Sequence, residues 1–543
     1  MGLAFSVIAA RLVDVQARNR AHYAQLGIAQ RLRTVTLAAD RGSIFDRNGN
    51  DLAVSAARSS VWADPQVVKN PSRYAAKLAP IVGVDEASLR ARLAQHQLGF
   101  VYVARQVEKS VARRVRALGL PGIGFIPEAK RYYPAGALAA PLLGFVGTDN
   151  QGLSGLEVGA DKILGGRPGR MQIEQDPAGH ALPNGQRRGR DAVRGSDLVL
   201  TIDESLQYQT ERVLAEEVAT TRAKGGIAVI ADVRTGDILA MANVDAGTNG
   251  VPAHAASATE PNRALTDVFE PGSTNKAITI AAALEAGLVS PSTVLQVPSR
   301  VVVDGKNYDD VKSHPAQMTV ADIVRESSNV GAILIARALG ATRFDAAMRS
   351  FGFGAPTGLH FPGEAAGILL PLNQYNATSM ASMPIGSGIA VTAMQMLDVY
   401  MTIANDGVAR VPRLVAATIN ADGNRTERGL GATHRVVSSA TASSMRQMLE
   451  AVVQGDGTGT LAQIPGYRVA GKTGTARKPP YDKPPYKYVA SFAGFAPADH
   501  PSLAAIVVLD EPQSNVYGGQ VAAPVFARIM QYALAVQRVP ASS

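Results

Sequence analysis

The chain has 543 residues, 46% hydrophobic and 18% charged, a balance typical of a folded chain with two or three domains. The net charge of +9 suits an anionic partner, but only 5% of the residues are aromatic and no nucleic-acid-binding motif occurs, so no nucleic-acid partner is expected. Cysteine is absent and the eight histidines lack metal-binding spacings, which excludes disulfides and thiolate chemistry and predicts neither a metal nor a cofactor.

The first predicted element is a helix over residues 6–31, with apolar side chains on one face. The residues on that face are Ile8, Leu12, Val15 and Leu26. The apolar run at its start is far shorter than the roughly 20 residues of a membrane-spanning helix. The sequence therefore leaves two interpretations open, the end of a membrane anchor or an apolar helix face.

Short apolar runs broken by glycine and proline follow, with helical stretches such as residues 86–95. This pattern predicts a mixed, irregular α+β module up to about residue 200. A dense basic cluster lies near its end, and we interpret it as a solvated loop. The cluster comprises Arg187, Arg188, Arg190 and Arg194.

The pattern changes near residue 201, where Asp203 is suited to cap a long helix. Two predicted strands follow, and then a mostly helical stretch over about 273–455. Three more strands and a last helix complete the chain. The strands are predicted at 227–231, 238–242, 467–471, 489–495 and 503–509, and the helix at 523–534. This order predicts one five-stranded antiparallel sheet, completed late in the chain and covered by helices.

Ser273 and Lys276 stand at the predicted start of an apolar helix, after Gly272. A serine and a lysine three residues apart lie on one helix face. A serine hydroxyl needs a nearby base to become a nucleophile, and a lysine of lowered pKa is such a base. Taken alone, the pair is better explained by a serine cap followed by an ordinary lysine, because such a pattern occurs by chance about twice in a chain of this length.

Two more motifs follow. Ser327, Ser328 and Asn329 lie at a predicted junction between two helices, where a hydroxyl and an amide face a cleft or merely cap a helix. Lys472 and Thr473 begin the run K-T-G-T at the end of a predicted strand, where an ammonium group and hydroxyls suit a carboxylate ligand.

Residues 466–473 also fit the P-loop pattern G-x-x-x-x-G-K-T. A P-loop opens a helix, whereas this segment has a strand pattern and is soon followed by Pro479 and Pro480. We therefore expect no nucleotide site here.

The three motifs, in the order S-x-x-K, S-x-N and K-T-G, resemble the set found in β-lactamases and penicillin-binding proteins. Outside them the chain resembles class B penicillin-binding proteins over nearly its whole length. The similar segments are RGSIFDRNG at 41–49, RYYPAG at 131–136 and GLSGLE at 152–157. The segments YVASFAGFAP at 488–497 and GGQVAAPVF at 518–526 are similar to the cell-division, FtsI-like branch.

This resemblance implies an α+β chain in three parts. Residues 1–32 would be the end of a membrane anchor, residues 33–200 a pedestal (dimerisation) module, and residues 201–543 a transpeptidase domain. It implies a serine D,D-transpeptidase that cross-links peptidoglycan stem peptides, acts in septal wall synthesis and binds β-lactams. The implied partners are lipid II-derived strands, a division-type polytopic glycosyltransferase and other divisome proteins. The implied location is the cell membrane, with a single-pass anchor and the catalytic domain on the extracytoplasmic side.

The resemblance also implies roles for individual residues. The implied catalytic residues are Ser273, Lys276, Ser327, Asn329 and Lys472, and the implied substrate-binding residues are Thr473, Gly474 and Thr475. Two alternatives remain open: a hydrolase, either a D,D-carboxypeptidase or a β-lactamase, and a non-catalytic β-lactam sensor or scaffold.

Overall fold

The computed structural model describes residues 2–18, 25, 32–174, 187–247 and 253–542. The chain begins with a helix, Gly2–Val13, which continues as a short π-helical turn, Asp14–Arg18. Phe5 and Ile8 on this helix are exposed, and the predicted continuation to Leu26 and residue 31 lies outside the described residues. In the described part of the chain, no helix is both long and apolar enough to cross a bilayer.

The pedestal is built on one long strand, Asp51–Ala63. It pairs with Ile123–Tyr132 over ten residues and with Val101–Val107 on its other side. Three helices pack with these strands around an apolar cluster that includes Leu78 and Leu89. They are Pro71–Val82, Glu86–Leu93 and Lys109–Ala117.

A buried cluster of charged residues joins the three N-terminal segments RGSIFDRNG, RYYPAG and GLSGLE. Glu157 accepts Nε of Arg41 at 2.6 Å and Nε of Arg131 at 2.7 Å. Arg41 also reaches Asp161, at 2.6 Å. A buried charge is tolerated only when it is paired and hydrogen-bonded, so these three distant segments fold around one another.

The basic segment near residue 190 differs from its prediction. Arg187–Arg190 is a strand, not a loop, and it pairs with Gly169–Glu174. Leu32–Leu37 completes this three-stranded sheet. The alternation that marks a half-buried strand is absent because Arg188, Gly189 and Arg190 are all exposed.

The pedestal sheet continues into the C-terminal half. Ile44–Phe45 pairs with Asp51–Ala63 and, in parallel, with Asp197–Leu200. Asp197–Leu200 then pairs with Val415–Ile419, which lies more than 200 residues later. Backbone hydrogen bonds therefore join the two halves, and the further edge strand is Arg425–Glu427.

The C-terminal half contains a second, fully antiparallel sheet, which confirms the α+β class. It has six strands rather than the predicted five, because the two-residue edge strand His254–Ala255 is too short to carry a pattern. The spatial order is His254–Ala255, Ile238–Asp245, Gly225–Asp232, Leu503–Asp510, Tyr488–Ala496, Ala470–Arg477.

Helices cover both faces of this sheet. Glu204–Thr221, capped by Asp203 as predicted, and Ala523–Val536 pack on one face, and Ala393–Ala404 packs on the other. Alternate residues of a strand enter different cores: Val229 belongs to one, Ile230 to the other. Burial on both faces explains why these strands have continuous apolar runs.

The stretch between the strands is less helical than predicted. Its longer helices are Lys276–Glu285, Val320–Arg325, Asn329–Leu339, Ala341–Ser350, Ala393–Ala404 and Ser439–Ala451. Short strand pairs lie among them: Val294–Gln296 with Gln317–Thr319, Arg300–Val303 with Lys306–Asp309, and Val408–Arg410 with Thr433–Arg435. Strands of three or four partly exposed residues have no apolar period to detect.

Candidate active site

The K-T-G motif lies on an edge strand of the six-stranded sheet, Ala470–Arg477. This strand begins three residues later than predicted because Gly466, at φ +80°, and the hydrogen bond from Tyr467 N–H to the Ile464 carbonyl form a turn before it. Lys472 is therefore inside a strand, not at its end. A P-loop is excluded, since no helix opens after the lysine.

Ser273 lies in a turn that packs against this strand. Gly272–Asn275 is a 3₁₀ turn that leads into the helix Lys276–Glu285. Gly272 has φ +56°, and a Cβ there would lie 2.9 Å from the Thr475 carbonyl oxygen. Only a glycine in the left-handed region permits this approach, so the turn that carries Ser273 and the K-T-G strand meet at this point.

The two residues after Ser273 are held by hydrogen bonds to backbone carbonyl groups. The Thr274 hydroxyl donates to the Pro271 carbonyl at 2.7 Å, and the Asn275 amide donates to the Met383 carbonyl at 2.7 Å. Thr274 and Asn275 are fully buried, whereas Ser273 is half-buried. The turn is thus fixed by its neighbours, and its serine is the residue that reaches the surface.

Lys276 connects this helix to the S-x-N motif. Its Nζ donates to the Ser327 carbonyl at 2.5 Å and to Asn329 Oδ1 at 2.7 Å, and it lies 3.3 Å from Ser327 Oγ. These bonds go to the S-x-N motif rather than to Ser273. Lys276 is 2% exposed.

Burial alters the acid–base chemistry of both lysines. It lowers the pKa of Lys276 well below its usual range, and the nearby charge of Lys472 lowers it further, while the Asp310 carboxylate opposes the shift. Burial lowers the pKa of Lys472 to about 7. A lysine that is neutral near pH 7 can accept a proton.

The S-x-N motif lies between the helices Val320–Arg325 and Asn329–Leu339, at the predicted junction. Ser327 has φ +63°, a left-handed conformation that is uncommon for residues other than glycine. Ser328 caps the second helix by accepting the Gly331 N–H at 2.9 Å. Strained backbone of this kind persists where the surroundings over-determine it.

The third group of side chains in the site belongs to the K-T-G motif. Lys472 is 1% exposed, and its Nζ lies 3.3 Å from both the carbonyl and the hydroxyl oxygen of Thr473. The Thr473 hydroxyl is 2.9 Å from that of Thr458, and the Thr475 hydroxyl accepts the Gly518 N–H at 3.2 Å. A cation beside two hydroxyls suits a carboxylate ligand.

Sequence reasoning missed a polar group that includes Glu270, three residues before Ser273. Glu270 accepts the Tyr481 hydroxyl at 3.0 Å and the Gly388 N–H at 2.8 Å. Beside them lies a cavity of about 430 Å³, which Arg477 and Phe269 also line. The contacts span up to 211 residues of sequence, so no local pattern marks them.

Asp310 and His314 were also missed, although they lie under the S-x-N motif. Asp310 accepts the Ser328 hydroxyl at 2.7 Å, and His314 Nε2 lies 2.9 Å from the same carboxylate. The signal that would have marked them is the D-x-x-x-H spacing shortly before the motif.

The sequence matches two family models. Residues 36–200 match the penicillin-binding protein dimerisation domain, and residues 226–531 match the penicillin-binding protein transpeptidase domain.

Curated relatives match nearly the whole chain. Penicillin-binding protein PbpB of Mycobacterium tuberculosis is 35% identical, over 99% of this chain and 84% of the relative. Peptidoglycan D,D-transpeptidase FtsI of Escherichia coli K12 is 35% identical, over 97% of this chain and 89% of the relative.

Solved structures are similar as well. A peptidoglycan synthetase from Bifidobacterium adolescentis superposes with a TM-score of 0.78 at 31% identity, covering 94% of this chain and 98% of that one. Penicillin-binding protein 3 of Mycobacterium tuberculosis, in complex with aztreonam, has a TM-score of 0.72 at 32% identity, covering 94% and 98%.

Proposed function

The chain belongs to the class B penicillin-binding proteins, in their FtsI-like branch, and on that basis we propose that Ser273 is the acylated nucleophile of its active site. The protein is a peptidoglycan D,D-transpeptidase that cross-links stem peptides through a serine acyl-enzyme and binds β-lactams. One observation carries the residue assignment: Lys276, buried one helical turn after Ser273, is bound to both Ser327 and Asn329.

Acylation begins when Ser273 Oγ attacks the carbonyl carbon between the last two D-alanines of a stem pentapeptide. Lys276, neutral because burial and the charge of Lys472 lower its pKa, accepts the hydroxyl proton. The two residues are three apart at a helix start, so their side chains lie on the same face.

The tetrahedral oxyanion is held by the backbone N–H groups of Ser273 and Thr475. Each such donor typically contributes about 10² to 10³ in rate. The terminal carboxylate of the stem binds Lys472 with the hydroxyls of Thr473 and Thr475, while Gly474 lets the peptide backbone approach the strand. A Cβ at Gly474 would lie 2.9 Å from the Pro271 carbonyl, so a larger residue would disturb the nucleophile turn too.

The intermediate collapses by breaking the C–N bond. The departing D-alanine amine takes a proton through Ser327, which Lys276 contacts, and Asn329 binds the amide of the acyl group. An acceptor amine from a neighbouring stem then attacks the ester carbonyl. The new C–N bond forms, the ester C–O bond breaks, and Ser273 regains its proton.

The domain boundary at residue 201, the division partners and the membrane anchor form a second part of the proposal. The pedestal of residues 33–200 is suited to partner contacts, and a division-type polytopic glycosyltransferase would supply the strands to be cross-linked. The exposed apolar residues Phe5, Ile8 and Leu12 support attachment through the N-terminal segment, with the catalytic half outside the membrane. Fractionation of cells that express the protein with and without residues 1–32 tests the anchor.

Product analysis tests the proposed function. The full chain is incubated with a stem pentapeptide donor and a second stem peptide that offers a free side-chain amine, and the products are separated and weighed by mass spectrometry. We expect a cross-linked dimer and free D-alanine from the wild type, and neither from Ser273→Ala. A hydrolysed stem without dimer would identify a hydrolase instead. An acylated protein that releases one D-alanine per chain, with neither dimer nor hydrolysed stem, would identify a sensor.

A further inference from the structure

A carboxylate from outside the three motifs lies beneath the S-x-N motif. Asp310 directly follows the hairpin formed by Arg300–Val303 and Lys306–Asp309. Its side chain is 5% exposed. The middle residue of this motif is Ser328, where the S-D-N form has an aspartate. In this chain the carboxylate reaches the motif from the hairpin.

Asp310 holds the whole turn that carries Ser327 and Asn329. One carboxylate oxygen accepts the backbone N–H groups of Asn329 and Val330, the latter at 3.2 Å. The other oxygen accepts the Ser328 hydroxyl at 2.7 Å. A carboxylate at this position also interacts favourably with the N-terminus of the eleven-residue helix Asn329–Leu339.

His314 fixes Asp310 from the opposite side. Its Nε2 lies 2.9 Å from Asp310 Oδ2, its Nδ1 lies 2.8 Å from the Pro315 carbonyl, and its side chain is 4% exposed. A carbonyl and a carboxylate oxygen accept hydrogen bonds, so each ring nitrogen is placed to donate one when it carries a proton. The bond to Pro315 raises the pKa of His314, as do the carboxylates of Asp310 and Glu326, which are the acidic groups facing it.

The same hairpin orients the amide of Asn329. Asn329 Nδ2 donates to the Asp309 carbonyl at 2.9 Å, which turns Oδ1 of the same amide towards Lys276 Nζ at 2.7 Å. Asp310 thus holds the backbone of the motif, while the Asp309 carbonyl orients the side chain of Asn329. The negative charge of Asp310 also raises the pKa of Lys276, against the effect of burial.

We propose that Asp310, held by His314, is a positioning residue for transpeptidation: its hydrogen bonds set the geometry of Ser327 and Asn329. This inference rests on the proposed function, because it assumes that Lys276 accepts the proton of Ser273. It assigns Asp310 no contact with substrate. Its effect passes through the hydrogen bonds to the S-x-N turn and through its charge.

The test is the Asp310→Asn variant of the full chain, with Asp304→Asn as the matched control. Asp304 is an exposed carboxylate in the turn of the same hairpin. The rate of acylation by benzylpenicillin is measured from pH 5 to 9 by stopped flow, so that the non-covalent dissociation constant and the acylation rate constant are obtained separately. Thermal unfolding is measured in parallel.

We expect Asp310→Asn to lower the acylation rate constant by about tenfold or more, since small misplacements cost up to about 10²-fold. The non-covalent dissociation constant should change far less. The acidic limb of the pH profile should move to lower pH, because the loss of a negative charge lowers the pKa of Lys276. A merely structural role would lower the unfolding temperature without moving this limb. Asp304→Asn should behave as wild type.

A folded Asp310→Asn variant with the wild-type rate constant and pH limb would overturn the inference. If Asp310→Asn fails to fold, His314→Gln answers the same question, since glutamine retains a donor for Asp310 but removes the ring and its charge. That variant should slow acylation with an altered pH profile, and a wild-type profile would count against the inference. Acylation of Ser273→Ala, by contrast, would refute the proposed function itself.

Discussion

Nζ of Lys276 donates a hydrogen bond of 2.7 Å to Oδ1 of Asn329, which lies 53 residues later in the chain. The bond joins the helix Lys276–Glu285, which follows Ser273, to the helix Asn329–Leu339, at whose start the S-x-N motif lies. Because Lys276 is buried and its pKa is lowered, this contact holds the proposed base at a fixed position without a carboxylate partner that would keep it charged.

The first prediction concerns Lys276→Met, which removes the amine and keeps a similar volume. Acylation by a fluorescent penicillin should slow by about 10³-fold or more, because a general base typically contributes about 10² to 10⁴. The unfolding temperature should not fall sharply, because the loss of the hydrogen bonds to Ser327 and Asn329 is offset by the removal of an amine whose pKa is lowered by burial. Lys77→Met, on an exposed helix face, is the control and should react normally. Normal labelling of Lys276→Met would rule out Lys276 as the base.

A second prediction follows from the buried Lys472. Its folded-state pKa is about 7, whereas an unfolded lysine titrates near 10.4. Between these values the unfolded chain binds more protons, so the contribution of Lys472 to the free energy of unfolding rises with pH and is lowest below pH 7. Lys472→Met should therefore be more stable than wild type at pH 7, by no more than about 5 kcal/mol, and this advantage should shrink towards pH 10.

Urea denaturation of both proteins at pH 7, 8.5 and 9.5 measures that difference. A stability difference that is constant over this pH range, or that grows with pH, would show that Lys472 stays charged in the folded protein.

The third prediction concerns Gly386, which has φ +81° and packs against the nucleophile turn. A Cβ at this position would lie 2.0 Å from the Gly272 carbonyl oxygen. Gly386→Ala should therefore destabilise the protein by about 3 kcal/mol or more and slow acylation, since both strain and a clash act. Gly423, at φ +84° with open space around it, is the matched control, and alanine there should cost about 1 kcal/mol. Equal costs at the two positions would contradict the close packing.

The fourth prediction concerns the buried pedestal cluster. Glu157→Gln removes the counter-ion of Arg131 and leaves Arg41 with Asp161 alone, and it should lower the free energy of unfolding by about 3 to 5 kcal/mol. The exposed pair of Arg425 and Glu427 provides a control, for which Glu427→Gln should cost less than about 1 kcal/mol. Denaturant titration checks both values, and a small loss in Glu157→Gln would mean that the cluster does not hold the pedestal.

The sequence predicted the apolar parts of this fold better than the polar ones. The strands Gly225–Asp232 and Leu503–Asp510 are buried on both faces, so they carry apolar runs that identified them. The edge strand His254–Ala255 and the hairpin that ends at Asp309 are short and largely exposed, so their pairing depends on tertiary contacts.

The three motifs predicted one site, and the structure brings them into contact. Their chemistry is local: a serine and lysine on one helix face, a serine and asparagine at a helix start, and a lysine with threonines on a strand. Asp310 and Glu270 were missed because each acts across a long loop or between distant segments. A carboxylate gains such a role only from the backbone and hydroxyl groups that the fold places around it.

The most direct test of the account is the mass of the intact protein after a brief exposure to benzylpenicillin. Ring opening by a serine adds the whole antibiotic and releases nothing, so the wild type should gain the mass of one penicillin molecule. Peptide mapping should locate it on Ser273, and Ser273→Ala should gain no mass. An unmodified wild type, or an equal adduct on Ser273→Ala, would contradict the account.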